Sequence, residues 1–101
     1  MLASELLSYI KLKKVCGNIE NVNIDYISQD NRNIKENTAF ICIEGNTVDG
    51  HSFVDSARAN GAKLFIASKN ISDKCGDIPV VYVKDTLKVM GLLANILYKC
   101  P

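Results

Sequence analysis

The chain has 101 residues, 48% of them apolar, and carries twelve basic against eleven acidic side chains. That length makes one domain that buries roughly 60–70% of its unfolded surface, with apolar content enough for a core without disulfides. The near-zero net charge argues against attachment to nucleic acid or an anionic membrane by bulk electrostatics.

No apolar run approaches the roughly 18–20 residues that span a bilayer. The N-terminus is not secretory in pattern either: Glu5 interrupts the apolar stretch, and the lysines follow it instead of preceding it. A cytoplasmic protein is the default expectation. Cys16, Cys42, Cys75 and Cys100 are irregularly spaced, with no C-x-x-C and a single histidine. Neither a zinc site nor a disulfide framework is expected. Cys16 and Cys42 read as small buried hydrophobes, with a reactive thiol as the alternative.

In chain order, residues 3–11 place Leu6, Leu7 and Ile10 on one face of a short amphipathic helix, with Ser4 as its N-cap. The basic run Lys11-Leu12-Lys13-Lys14 reads first as a solvated helix end, with a phosphate-contacting patch as the alternative. Val15 and Cys16 form a short strand that turns at Gly17 and Asn18. Residues 23–29 alternate as a strand, with Ile24, Tyr26 and Ser28 on one face and Asp25 and Ile27 on the other. The uninterrupted apolar run 39–43 is expected to be a strand covered on both faces. A second helix is expected from Ser52 or Phe53 to Asn60, with Ser52 and Asp55 as a capping-box variant and Asn60-Gly61 as its stop. Phe53, Val54 and Ala57 would face the sheet. Residues 63–67 and 79–83 are two further strands, joined by a polar connection. Asp85 caps a last helix reaching about Lys99, with Leu87, Met90, Ala94, Leu97 and Tyr98 as its core stripe.

Alternating strands and helices predict an α/β fold, a small three-layer open sheet with flanking helices. It is Rossmann-like but lacks the G-x-G-x-x-G dinucleotide fingerprint, and no Walker A sequence is present, so no ATP site is visible. Ligands of open α/β sheets gather at the carboxyl ends of the strands. Two such ends are expected to converge, one running into Gln29-Asp30-Asn31-Arg32 and one into Glu44-Gly45-Asn46-Thr47. The helix start near Ser52 would offer free N–H groups to a phosphate, with Arg32 adding charge-assisted bonds. Gln29, Asn31 and Asn46 both donate and accept, which suits a uracil edge. Each has a plainer alternative. Asp30 can close an Asx turn, and Arg32 can pair with Asp30 or Asp49. Asp49-Gly50 can be a simple turn. His51 reads as a loop-bracing hydrogen-bond partner before a general base, because no triad partner accompanies it. No nucleophile–base pair, carboxylate dyad or metal cluster stands out, so no catalytic residue is assigned.

The segments Asp30-Asn31-Arg32, Phe40-Ile41-Cys42-Ile43-Glu44-Gly45, Asp49-Gly50-His51-Ser52-Phe53 and Gly61-Ala62, with Val83-Lys84-Asp85-Thr86-Leu87 and the ending Leu97-Tyr98-Lys99-Cys100-Pro101, resemble the N-terminal domain of the Mur ligase family. The resemblance covers about Val22 to Pro101 and is strongest to the MurE type; MurF is the alternative, and a non-catalytic nucleotide-binding or interaction module is a third reading. It implies that residues 1–101 are the substrate-holding domain of a longer ATP-dependent amide ligase, inactive alone. Such a ligase adds L-lysine or meso-diaminopimelate to UDP-MurNAc-L-Ala-D-Glu in peptidoglycan synthesis. Its ATP and magnesium sites would lie in central and C-terminal domains beyond this chain. The resemblance implies UDP contacts at Gln29, Asn31, Asn46, Thr47 and Val48, supported by Asp30, Arg32, Asp49, His51 and Ser52. Asn31 stands where the family usually has serine.

Overall fold

Side chains alternate between two separate cores along the central strands, and this alternation sets the architecture. The computed structural model describes residues 1–45 and 47–98. Its elements are α1 (Ala3–Leu7), β1 (Lys14–Cys16), β2 (Tyr26–Ser28), β3 (Thr38–Ile41), α2 (Val54–Ala59), β4 (Leu64–Ala67), β5 (Val80–Tyr82) and α3 (Thr86–Leu97), with a single 3₁₀ turn, Gly50–Phe53, leading into α2. The five strands form one sheet in the order β1-β5-β4-β3-β2. Strands β2 to β5 pair in parallel, and β1 runs antiparallel along β5.

On one face, Ala39, Ile41, Leu64, Ile66 and Val81 pack against Leu6 and Leu7 of α1 and Val89 and Leu93 of α3. On the other, Phe40, Phe65, Ala67 and Val80 meet Val54 and Ala57 of α2, together with Ile71 and Cys75 from the long β4–β5 connection. Phe40 and Phe65 meet edge to face, with ring centroids 6.1 Å apart. The expected three-layer open sheet is therefore present. Strands covered on both faces carry continuous apolar runs, and β3 and β4 are buried throughout. The outer strand β2 is held by Tyr98: its hydroxyl accepts from the Ile27 N–H at 2.7 Å and donates to the Ile27 carbonyl at 3.3 Å. That contact occupies polar backbone groups an edge strand would otherwise present for pairing.

Several local expectations are corrected. Helix α1 ends at Leu7 and does not reach Lys11, and no side chain caps its start, so Ser4 is not the N-cap. The Ser8 hydroxyl donates to the Glu5 carbonyl at 2.6 Å, and the amides of Ser8, Tyr9 and Ile10 bond three residues back, which tightens the helix to a stop. Lys13 and Lys14 thus lie at the start of β1, not at a helix end. In the 23–29 segment the carbonyl of Asn37 accepts from both Asp25 and Tyr26. Two consecutive amides on one side break the alternation. Ile27 therefore packs into the same core as Ile24, while Tyr26 turns outward beneath the Lys35 ammonium, 4.9 Å from its ring centre.

Gly61 at φ +103° ends α2 as expected, but Ser52 does not cap it. Asp49 caps the preceding 3₁₀ turn by accepting from the His51 N–H. Asp85 does cap α3, accepting from the Lys88 N–H at 3.1 Å. The buried stripe of α3 is Thr86, Val89 and Leu93, whereas the expected stripe member Leu87 is 60% exposed. Cys42 is buried as expected, but Cys16 is only half-buried.

The phase of α3 is open to measurement. Leu93→Ala should cost about 2–5 kcal/mol in urea unfolding, the range for a buried leucine, and Leu87→Ala should stay within about 0.5 kcal/mol. Equal losses would contradict the observed burial.

Candidate functional site

Parallel pairing of β2 and β3 brings their carboxyl ends together, with Ile27 beside Ala39 and Ser28 beside Phe40. The chain leaving β2 and the chain leaving β3 then enclose an open pocket of about 620 Å³, lined by Gln29, Asp30, Asn31, Arg32, Ile43, Gly45, Val48, Gly50 and Phe53. The two expected loops do converge.

The β2 loop is self-organised. Ser28 accepts from the Asp30 N–H through its hydroxyl, and Asp30 accepts from the Arg32 N–H at 2.9 Å in an Asx turn. The Arg32 guanidinium closes onto both Asp30 oxygens, each at 3.1 Å. This hydrogen bonding holds the Asp30 carboxyl below the usual carboxylate range and raises Arg32. The pair lies on the surface, where solvent screens it, and Arg32 keeps 83% of its side chain exposed. Asn31 donates through its amide to the Ser56 hydroxyl at 2.8 Å, and its carbonyl accepts from Asn60. Both bonds pin this loop to α2.

The β3 loop doubles back on itself. Glu44 and Asp49 form an antiparallel bridge, and the Gly45 N–H donates to the Val48 carbonyl at 2.7 Å. Gly50 then passes so close to β3 that a Cβ there would sit 2.7 Å from the Ile43 nitrogen. Beneath the loop, buried His51 accepts through Nε2 from the Ser68 and Lys69 N–H groups, both at 3.1 Å. Nδ1 is therefore the protonated ring nitrogen, and it donates to Asp49 at 2.7 Å. The Lys69 ammonium completes the group, 2.5 Å from Asp49 and 3.5 Å from Glu44. Burial pushes the Asp49 carboxyl up, but hydrogen bonds from Lys69, the His51 amide and the His51 ring outweigh it and leave the group well below the ordinary range.

His51 is thus a loop brace with no ring nitrogen free for base chemistry. Glu44, Asp49 and His51 place ligand atoms within 4.8 Å of one another, yet the Lys69 ammonium bonds both carboxylates and both imidazole nitrogens are engaged. The arrangement is an ion-paired clamp. Burial pushes the Cys42 thiol up to about 12, with the Asp49 charge adding and Lys74 opposing. At that value it stays protonated, so Cys42 is not a reactive thiol.

The expected phosphate position at the helix start is corrected. The Gly50 N–H donates to Ile43, that of His51 to the Asp49 carboxylate and that of Ser52 to the Asp49 carbonyl. No free amide remains at these three positions, and a carboxylate stands beside them. Of the expected residues, Gln29, Asp30, Asn31, Arg32 and Val48 line the pocket. Asp49 and His51 brace it from below. Ser52 is exposed and bonds Asp49 instead. Thr47 is exposed without lining the pocket, and Asn46 lies outside the described residues. Sequence reasoning missed Lys69, although its place just past the end of β4 puts it on the same sheet edge. It also sent Phe53 into the core. Phe53 is instead an exposed pocket wall.

The clamp makes two predictions. His51→Ala strands two amides and should cost about 1–3 kcal/mol in urea unfolding, with the losses concentrated at the 44–51 loop in amide exchange. Asp49 has a depressed folded value, so its stabilisation is present above its unfolded value near 3.9 and drains away as pH falls below about 4. Urea melts from pH 7 to 2 should therefore show a flatter acid limb for Asp49→Asn.

Comparison with known proteins bears on this geometry. The family model described as "Mur ligase family, catalytic domain" matches residues 23–98. The chain is 38% identical over 97 residues to the UDP-N-acetylmuramoyl-L-alanyl-D-glutamate–2,6-diaminopimelate ligase of Oceanobacillus iheyensis, covering 96% of this chain and 20% of that protein. It is 38% identical over 101 residues to the corresponding L-lysine ligase of Staphylococcus haemolyticus, covering 100% and 20%. Among solved structures it is similar to MurF from Acinetobacter baumannii, with a TM-score of 0.62 and 31% identity over 70% of this chain and 15% of that one. The chain spans about a fifth of the length of the curated relatives it matches. A sheet edge with this pocket, and a family match running from before β2 to the end of α3, place the chain in the Mur ligase family.

Proposed function

We propose that the chain is the part of a MurE-type ligase that holds the UDP end of UDP-MurNAc-L-Ala-D-Glu, in the cytoplasm, for ATP-dependent addition of L-lysine or meso-diaminopimelate. The observation that carries this reading is the pocket at the carboxyl ends of β2 and β3, the place where open α/β sheets receive ligands. It combines apolar walls from Ile43, Val48 and Phe53 with the amides of Gln29 and Asn31, a composition suited to a flat heterocycle with a polar edge. Asn46 and Thr47 are proposed contacts of the same ligand, with Arg32 available to its phosphates once released from Asp30. ATP and magnesium belong, on this reading, to the central and C-terminal domains of a longer protein. Gripping a remote handle then positions the reacting carboxylate, so these contacts act on rate through binding.

A MurF-type ligase is the second reading, favoured by the likeness to MurF structures. The higher identity to diamino-acid ligases favours the first. A Gly-rich Lys-Thr phosphate loop encoded downstream would support either over a non-catalytic module.

The test is an amide-resolved NMR titration of the 101-residue chain with UDP, using AMP and uridine as controls. UDP should shift amides at 29–32 and 45–53, and AMP should leave them in place. No movement at high millimolar UDP, or equal movement with AMP, would overturn a uracil-selective pocket.

A further inference from the structure

The basic run at 11–14 finds no use in the pocket described above, and the structure gives it a different setting. At the opposite end of the sheet a second cleft, of about 480 Å³, lies between the start of β1 and the chain leaving β4, lined by Lys13, Lys14, Cys16, Ser68, Asn70, Ser72, Tyr82 and Val83. It shares no lining residue with the first pocket. Four strand spacings separate β1 from β2, roughly 19 Å.

The cleft combines hydrogen-bonding side chains with Cys16 and Val83. No carboxylate lines it, and among the described residues neither Lys13 nor Lys14 has an ion-pair partner. The Asn70 amide oxygen is committed, accepting from the Ser72 N–H at 2.9 Å and from the Tyr82 hydroxyl at 3.5 Å. That orientation leaves the Asn70 NH₂ without a hydrogen-bond partner among the described residues. The Tyr82 hydroxyl in turn accepts from the Ile71 N–H at 3.2 Å, which fixes the loop against β5. Lys13, Lys14, Ser68, Asn70 and Ser72 thus line one space with no carboxylate among them. A compact dianion with several acceptor oxygens satisfies such a set.

We propose that this cleft binds a phosphoryl anion, separately from the pocket at β2 and β3. Edge lysines also keep a free sheet edge from pairing, a role that needs no ligand, and titration separates the two. The 101-residue chain is titrated by amide-resolved NMR with inorganic phosphate and, in a second series, pyrophosphate, at constant ionic strength set with sodium chloride. Saturable shifts confined to the amides of 13–16, 68–72 and 82–83 are expected, tighter for pyrophosphate. Lys13→Gln/Lys14→Gln should weaken that binding at least tenfold, and Lys35→Gln, on the far side of the sheet, should not. If the double variant loses its folded spectrum, Asn70→Asp replaces it and should weaken binding to the same degree. Shifts that do not saturate, that spread over lysines elsewhere, or that survive these substitutions would overturn the site and leave the lysines as edge guards. Because the cleft and the first pocket report through different amides, either can fail without the other.

Discussion

The imidazole of His51 is the constraint on which the pocket depends. It accepts two backbone amides from the end of β4 and donates to Asp49 on the loop after β3. A buried amide without an acceptor is costly, and one ring here satisfies two while tethering the neighbouring strand's loop. Lys69 adds a second tie between the same two segments. The loop that carries Gly45 and Val48 is thus fixed to the sheet's interior from beneath. Gly45 and Val48 line the pocket on its other side.

This bracing explains why a Gly must follow Asp49. The turn that lets Asp49 cap His51 brings residue 50 against the backbone of Cys42 and Ile43 just past β3, where no side chain fits. Asp49 then does three things with one carboxylate: it caps the 3₁₀ turn, orients the imidazole and receives the ammonium. The D-G-H sequence is therefore a folding unit of the loop, and its chemistry is structural. Its neighbours Gly45, Val48 and Phe53 line the pocket.

The sequence was informative where a physical pattern has a single solution. Continuous apolar runs at 39–41 and 64–67 could only be doubly covered strands, and parallel pairing then brought residues 29–32 together with Gly45 and Val48. Asp85 and Gly61 acted as their chemistry predicts. The errors arose where local hydrogen bonding overrode periodicity. The Asn37 carbonyl, by taking two consecutive amides, reversed the facing of Tyr26. Ser8 cut α1 short, which left Lys14 on a strand and Lys13 just before it. Asp49 took the cap expected of Ser52, and its carboxylate and carbonyl, with the Ile43 carbonyl, took the amides expected to hold phosphate. Lys69 could not be paired with Asp49 from sequence because the two sit twenty residues apart, joined only by the sheet.

The consequence of that last correction reaches the division of labour along the sheet edge. The first pocket spends its amides and its charges internally: Asp30 with Arg32, Asp49 with His51 and Lys69. What lines it besides these is Phe53, Ile43, Val48 and the Gln29 and Asn31 side chains. Such a surface is suited to selection by shape and hydrogen-bond pattern, with little electrostatic pull. Donor-rich, uncompensated positive charge lies instead at the other end, around Lys13 and Lys14. On the two proposals above, a single sheet edge would separate recognition of a ring from attraction of an anion, since the same backbone amides cannot both brace a loop and bind phosphate.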